Sequence, residues 1–576
     1  MERDLNRGGH NLTSDARYPQ SPVKFSFETR RENLEMMKGT EFDIIVLGGG
    51  ATGAGIARDA VGRGLKVALL EKGDFGSGTS SRSTRLVHGG LRYLRYFKLG
   101  LVYESSKERE ILRQIAPQLV HPLLFMIPVY EKGPDSMLKI RFGLWLYDIL
   151  ARFRNFRRHR VVNADKAIEM EPEMRRKALK GAAIYFDSKT DDARLTLLTV
   201  ISAFRMAAVV ANYIEVIDVL KEKARAVGVR VRDKMSGQEF EMRGKMLVNV
   251  AGPWVDEIRN MDDPTGQRKL RLTKGIHLTV MREKVGNNNA VVMNALKDQR
   301  NVFVLPFGSR SFIGTTDTDF DGDPDHVYAE REDVDYLLET VNDYFPRCNL
   351  TIEDVISTSA ALRPLVDIEA TSEYEASREY KMMESNSGLI TMAGGKLTAH
   401  RSMAQKAVDR AIKRLKTRHG IRPEKVCETD KVPLEGGAIG NFDSYLEKET
   451  TRAKDEGGFD EETVAHLVGR YGSSYTKVLN MVKEKPILGQ RIVNDLPYIW
   501  AELHYAVEHE MAMTLSDFFF RRTRIGYEDW NQGIAVSRRV AEAMGKHLGW
   551  SSQDVKEQIR AYKSEVDEGR RFRMGE

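Results

Sequence analysis

A chain of 576 residues is too long for one ordinary hydrophobic core, so two or three domains are expected. Its 89 basic and 83 acidic residues nearly balance, and a net charge of +6 spread so thinly means that any anionic partner must be met by a local cluster. Two cysteines, Cys348 and Cys427, exclude a disulfide framework and fit a reducing compartment, with the cytoplasm the expected home.

In chain order, residues 1–40 read as a mobile polar tail without the apolar core of a secretory signal, and nothing in them argues for export. From Phe42 the sequence FDIIVLGGGATGAGIARDAVGRGLKVALLEKGDF predicts strand, glycine turn, helix and second strand. Gly48, Gly50 and Gly53 form the G-x-G-x-x-G pattern of a dinucleotide pyrophosphate site, and Glu71 falls where a carboxylate can meet ribose hydroxyls. That pattern alone does not choose between NAD and FAD. The next segment, GTSSRSTRLVHGGLRYL (Gly78–Leu94), bears on the choice. Its hydroxylated loop, Thr79, Ser80, Ser81 and Ser83, suits a flavin pyrophosphate and ribityl chain, and would bring His88-Gly89-Gly90 toward an isoalloxazine ring.

Met137–Arg160, MLKIRFGLWLYDILARFRNFRRHR, combines Phe142, Leu144, Trp145, Leu146, Tyr147, Ile149, Leu150, Phe153 and Phe156 with Lys139, Arg141, Arg152, Arg154, Arg157, Arg158 and Arg160. Such a segment suits an amphipathic helix on an anionic bilayer, a domain-packing helix, or an aromatic and basic nucleic-acid surface. The most apolar later run, LTLLTVISAFRMAAVVANYI, is broken by Arg205, so no transmembrane helix is predicted. LVNVAGPWVD reads as a buried strand ending at Gly252, with Trp254 beyond it, and GLITMAGGKLTAHRSMA as strand, Gly-Gly break and helix, offering the amides of Gly395, Lys396, Leu397 and Thr398 to a cofactor. His504, Glu508 and His509 in HYAVEHE lack metal-site spacing, and no metal is expected. Beyond about residue 411 the pattern becomes helical, with PLEGGAIGNF (Pro433–Phe442) as a linker.

Taken together, GTSSRSTRLVHGGLRYL, TDDARLT, NVAGPWVD, LTKGIHL, FVLPFGSRSFIGTTDTDF, ALRPL and AGGKLTAHRSMA resemble the FAD-dependent glycerol-3-phosphate dehydrogenases of the D-amino-acid-oxidase-like superfamily. DFFFRRTRIGY resembles that family's helical C-terminal domain. The resemblance implies an α/β fold: a Rossmann-type FAD domain (about 41–120, 180–270 and 355–410) interleaved with a mixed-sheet substrate domain (about 121–179 and 271–354), followed by helices over 411–576. It implies bound FAD and nominates Arg92, Arg378 and Lys396, with Tyr93 as hydroxyl donor, for a substrate phosphate, and Arg363 beside the reacting carbon. His88 is the expected base because an imidazole titrates near neutrality, a cofactor-positioning role standing close behind, and His277 is second choice.

The implied reaction is oxidation of sn-glycerol 3-phosphate to dihydroxyacetone phosphate, with electrons passed to a membrane quinone. The resemblance also favours peripheral attachment through residues 137–160 to the inner face of the cell membrane, without nucleic-acid binding, and is compatible with a homodimer. The alternatives are an oxidase using O2 or a related flavoenzyme acting on hydroxy or amino acids. From another class, a non-catalytic RNA- or lipid-binding basic protein would keep the dinucleotide fold as a scaffold.

Overall fold

The structure is a computed structural model describing residues 24–133, 136–152, 155–267, 269–366, 379–456 and 459–574. Its centre is a sheet of strands Tyr380–Glu384, Ile390–Gly394, Glu239–Asn249, Glu41–Leu47, Val67–Leu70 and Val209–Ala211, in that spatial order. Glu41–Leu47 runs parallel to both neighbours, with Val46 opposite Val248 and Leu69. Its run EFDIIVL is buried beyond the first residue, as a parallel strand covered on both faces requires.

Two helices cover opposite faces of this sheet. Helix α1, Phe27–Gly39, buries Leu34 and Met37 against Phe42, Ile45 and Leu47. Helix α2, Ala51–Gly62, buries Ala54, Ile56 and Ala57 in the main core beside helices Asp192–Arg205 and His400–His419. The expected mobile tail is therefore corrected from residue 24 onward. Phe25 is fully buried, and Arg30 pairs with Asp233 at 2.5 Å in the interior. Residues 1–23 lie outside the described residues.

The second sheet runs Thr318–Asp319, Arg271–Met281, Arg310–Gly314, Asn301–Phe307, Ala290–Asn294, His121–Tyr130, Leu179–Lys189 and Leu86–Val87, with Val355–Leu365 also pairing antiparallel to Arg271–Met281. Leu86–Val87, Leu179–Lys189 and Val355–Leu365 fall in segments that the sequence grouped with the nucleotide domain. They hydrogen-bond into this second sheet instead, because their antiparallel partners lie there. The chain thus crosses four times between the two sheets, and the space between them is where the candidate site lies.

Helix α3, Leu99–Ile115, and helix α4, Met137–Leu150, close one side of the second sheet; Leu144 and Tyr147 of α4 are buried against Phe125, Ala183 and Tyr185. The C-terminal part is helical from Phe442–Glu456 to Ser552–Gly569. Its Phe518, Phe519 and Tyr562 join the same apolar core as Val46 and Phe75. The Pro433–Phe442 segment packs tightly rather than hanging loose: Leu434 N donates to Ile115 O at 2.7 Å, and a Cβ on Gly436 would lie 2.1 Å from Tyr471 O.

Candidate active site

The glycine turn is shaped by close approach. Gly48 has φ +113°, and a Cβ there would lie 2.7 Å from Val250 O. A Cβ on Gly53 would lie 1.8 Å from Gly48 O, so α2 can seat against the turn only without side chains at both positions. A cavity of about 250 Å³ opens beside it. Its walls include Gly48, Gly50, Glu71, Thr79, Ser80, Ser83, Gly252, Trp254, Gly395, Lys396 and Leu397, thus eleven of the residues expected to hold the cofactor. Gly53, Ser81, His88 and Thr398 stand behind or beside this wall: Ser81 is buried, and Thr398 Oγ1 accepts from His88 N at 3.1 Å.

The serine loop is itself pinned. Ser80 Oγ accepts from Ala51 N at 3.0 Å, Thr79 Oγ1 donates to Leu362 O at 2.7 Å, and Ser83 donates through both N and Oγ to Asp192. Glu71 accepts from the amides of Gly49 (2.7 Å) and Gly73 (2.8 Å), while burial pushes its carboxyl above the ordinary range. FAD fits these residues. The glycines leave room for a pyrophosphate, and the buried indole N–H of Trp254, on the cavity wall, has no hydrogen-bond partner among the described residues.

A second cavity of about 570 Å³ adjoins the first: Ser83 and Pro364 line one, their neighbours Thr84 and Arg363 the other. His88, Arg92, Tyr93 and Arg363 all line this larger space. Lys396 Nζ bridges the two, sitting 3.5 Å from the centroid of the Tyr93 ring and 3.4 Å from Ser105 Oγ. Arg363 donates to Asp317 Oδ1 at 2.8 Å and to Thr315 Oγ1 at 2.8 Å, which fixes its guanidinium at the wall. The structure therefore gathers five of the six residues expected for chemistry and substrate binding. Arg378 lies outside the described residues.

His277, the second choice for base, lies outside both cavities. It is buried, stacked on Phe312 with centroids 4.6 Å apart, and its Nε2 is 3.0 Å from Thr84 Oγ1. Burial, with Arg363 and Arg85 nearby, pushes its pKa well below the usual imidazole range and keeps it neutral. His504 meets His547 at 2.7 Å and Glu508 meets Lys24 at 2.5 Å, and no metal-holding cluster occurs among the described residues.

Two groups escaped the sequence reading. Asp187 lines the larger cavity and accepts from Gly89 N at 2.9 Å, beside His88. An acid within the apolar strand run AAIYFDSK was the available signal. Phe97, Leu99 and Tyr103 are exposed, and Phe97 shares the wall of the larger cavity with Phe142 of α4; the signal was YFKLGLVY, which follows the motif already singled out.

The α4 segment is amphipathic: Leu138, Phe142, Trp145 and Ile149, spaced four, three and four, are exposed on one stripe. Arg141, Arg152, Arg157, Arg158 and Arg160 are exposed as well; Phe153 and Arg154 lie outside the described residues. Among the described residues no helix is long and apolar enough to cross a membrane.

Comparison with known proteins agrees with this geometry. The family model described as FAD dependent oxidoreductase matches residues 43–401, and that of the C-terminal domain of alpha-glycerophosphate oxidase matches 427–555. The chain is 37% identical over 544 residues to an aerobic glycerol-3-phosphate dehydrogenase of Staphylococcus aureus strain USA300, spanning 94% of this chain and 96% of the relative. A Bacillus halodurans glycerol-3-phosphate dehydrogenase solved in complex with FAD superposes with TM-score 0.79 at 32% identity, covering 95% of this chain and 98% of that one. An L-alpha-glycerophosphate oxidase of Mycoplasma pneumoniae shares the fold at TM-score 0.52 and 16% identity, over 65% of this chain and 95% of its own. The alternative of a non-catalytic scaffold is thereby set aside, and the chain belongs to the FAD-dependent glycerol-3-phosphate dehydrogenases of the D-amino-acid-oxidase-like superfamily.

Proposed function

We propose that this enzyme oxidises sn-glycerol 3-phosphate to dihydroxyacetone phosphate and passes the electrons to a quinone dissolved in a membrane. The observation that carries the reading is the convergence of Lys396, Tyr93, Arg92 and Arg363 where the cofactor cavity meets the larger one. Several fixed cations around one space suit a phosphate dianion, which a single exposed lysine would hold weakly. FAD, held by the Gly48–Gly53 turn, Glu71, the serine loop, Trp254 and Gly395–Leu397, supplies a two-electron acceptor when bound. The chain's own part is to bind and orient. Lys396 and Arg92 take the phosphate, and Tyr93 donates its hydroxyl. Arg363, held by Asp317, steadies charge developing on the carbinol oxygen, and His88 takes the hydroxyl proton.

A quinone acceptor is supported by the surface. The larger cavity is lined by Phe97 and Phe142, 84% and 66% exposed, so it reaches the surface amid the apolar stripe of α4. Exposed arginines beside that stripe suit an anionic leaflet. Such a face would hold the enzyme peripherally on the inner side of the cell membrane. Rapid mixing tests the acceptor: enzyme reduced anaerobically by glycerol 3-phosphate should be reoxidised by a short-chain quinone far faster than by air-saturated buffer. Faster reoxidation by oxygen would make it an oxidase instead.

A further inference from the structure

The inner face of α4 carries an unusual load for a helix with an apolar outer face. Tyr147 and Asp148 are both buried there. Arg109 of α3, also buried, donates to Asp187 Oδ1 at 2.6 Å and to Tyr147 Oη at 2.9 Å, and it further donates to Asn155 Oδ1. Asn155 donates to Asp148 Oδ1 at 2.5 Å, and His159 Nδ1 stands 2.7 Å from Asp148 Oδ2. The chain ends on Gly89, whose N–H donates to the same Asp187 Oδ1.

Contact with Gly89 is direct as well. A Cβ on Gly89 would lie 2.0 Å from Tyr147 Oη, so the tyrosine hydroxyl occupies the space that any other residue there would fill. The backbone at His88 is consequently held from two sides: His88 N donates to Thr398 Oγ1 in the cofactor loop, and Gly89 N to Asp187 in the second sheet. Two adjacent amides with partners on different elements leave the intervening imidazole little freedom to wander, which is what a proton-transfer geometry demands.

We propose that Asp187 and Tyr147 are positioning residues for His88, acting through Gly89, and that they make α4 part of the active site as well as part of the outer surface. The proposal rests on the reading of His88 as the group beside the reacting carbon. It assigns α4 two faces with separate duties. Removing Leu138, Trp145 or Ile149, outer side chains that do not line the larger cavity, should weaken membrane attachment and leave dye-linked activity unchanged, whereas loosening the inner tether should affect chemistry in the absence of any membrane.

The test uses purified FAD-loaded enzyme and a soluble dye acceptor. Tyr147→Phe removes one hydroxyl from a buried network, and its FAD content and melting temperature confirm that it folds. The expected result is a limiting rate of flavin reduction lowered roughly tenfold, with the glycerol 3-phosphate KM within about twofold of wild type and a shifted visible flavin band. Asp187→Asn should lower the rate further; if that variant does not fold, Tyr147→Phe decides. Wild-type kinetics and spectrum in Tyr147→Phe would overturn the positioning role while leaving the reaction intact. Failure of glycerol 3-phosphate to reduce even the wild-type flavin would overturn the functional reading and this proposal with it.

Discussion

Lys396 and Arg363 line neighbouring cavities and carry different expected kinetics. Lys396→Ala should raise the glycerol 3-phosphate KM by tenfold or more, roughly, with FAD content preserved, because a phosphate contact is made equally in ground and transition states. Arg363→Ala should lower kcat instead if, as proposed, its cation stabilises charge that develops only during reaction. Steady-state assays with flavin quantitation separate the two, and constants within a factor of about two of wild type in both variants would remove the phosphate-site assignment. The residues that were legible in sequence are those whose meaning depends on near neighbours: the three glycines, Glu71 and the serine loop define one another within a short stretch. Asp187 was not legible because its partner Arg109 lies 78 residues away and Gly89 lies 98 residues away, so only the fold brings an acid, a guanidinium and an amide together.

Helix α4 was readable as amphipathic, yet sequence alone left bilayer, domain packing and nucleic acid open. The structure resolves how one helix serves two surfaces: Leu144 and Tyr147 pack inward while Leu138, Phe142, Trp145 and Ile149 stay exposed. If that stripe enters a bilayer, Trp145→Glu together with Leu138→Glu should release the enzyme from phosphatidylglycerol vesicles at all salt concentrations. Arg157→Glu with Arg158→Glu should release it only when salt screens the remaining attraction, each basic residue contributing on the order of 1 kcal/mol near the surface. Dye-linked activity should persist in both. Co-sedimentation checks this, and variants that pellet like wild type would place the membrane contact elsewhere. Helix α1 was missed altogether, because its apolar positions Leu34 and Met37 are diluted by charge, and its strongest anchor, the Arg30–Asp233 pair, spans 203 residues.

At the scale of the molecule, the C-terminal helices are bound to the nucleotide domain by buried ion pairs as well as by a shared apolar core. Asp74, beside the cofactor turn, meets Arg522 at 2.5 Å and Arg521 at 2.6 Å. Burial pushes its carboxyl up, but the two guanidinium groups prevail and hold it at about 2. Asp74→Asn leaves two buried cations short of a partner and should destabilise the protein by about 3–5 kcal/mol, read from denaturant midpoints. Acid should act in the same direction. Burial holds His121 and His400 at about 4 in the fold, against 6.5 for an ordinary imidazole. Between those values the unfolded chain binds more protons than the native one, so stability should fall with falling pH by about 1.4 kcal/mol per pH unit for each group. A midpoint unchanged between pH 7 and pH 5 would contradict this.

In the proposed function the architecture as a whole serves one event, removal of a hydride from the substrate carbinol carbon where the two cavities adjoin. The most direct measurement is anaerobic stopped-flow reduction of the bound flavin by sn-glycerol 3-phosphate, compared with the same substrate deuterated at carbon 2 and with unphosphorylated glycerol. The visible flavin band should bleach with glycerol 3-phosphate, more slowly with the deuterated form, and hardly at all with glycerol. Bleaching that is equally fast with glycerol, or absent with glycerol 3-phosphate, would contradict it.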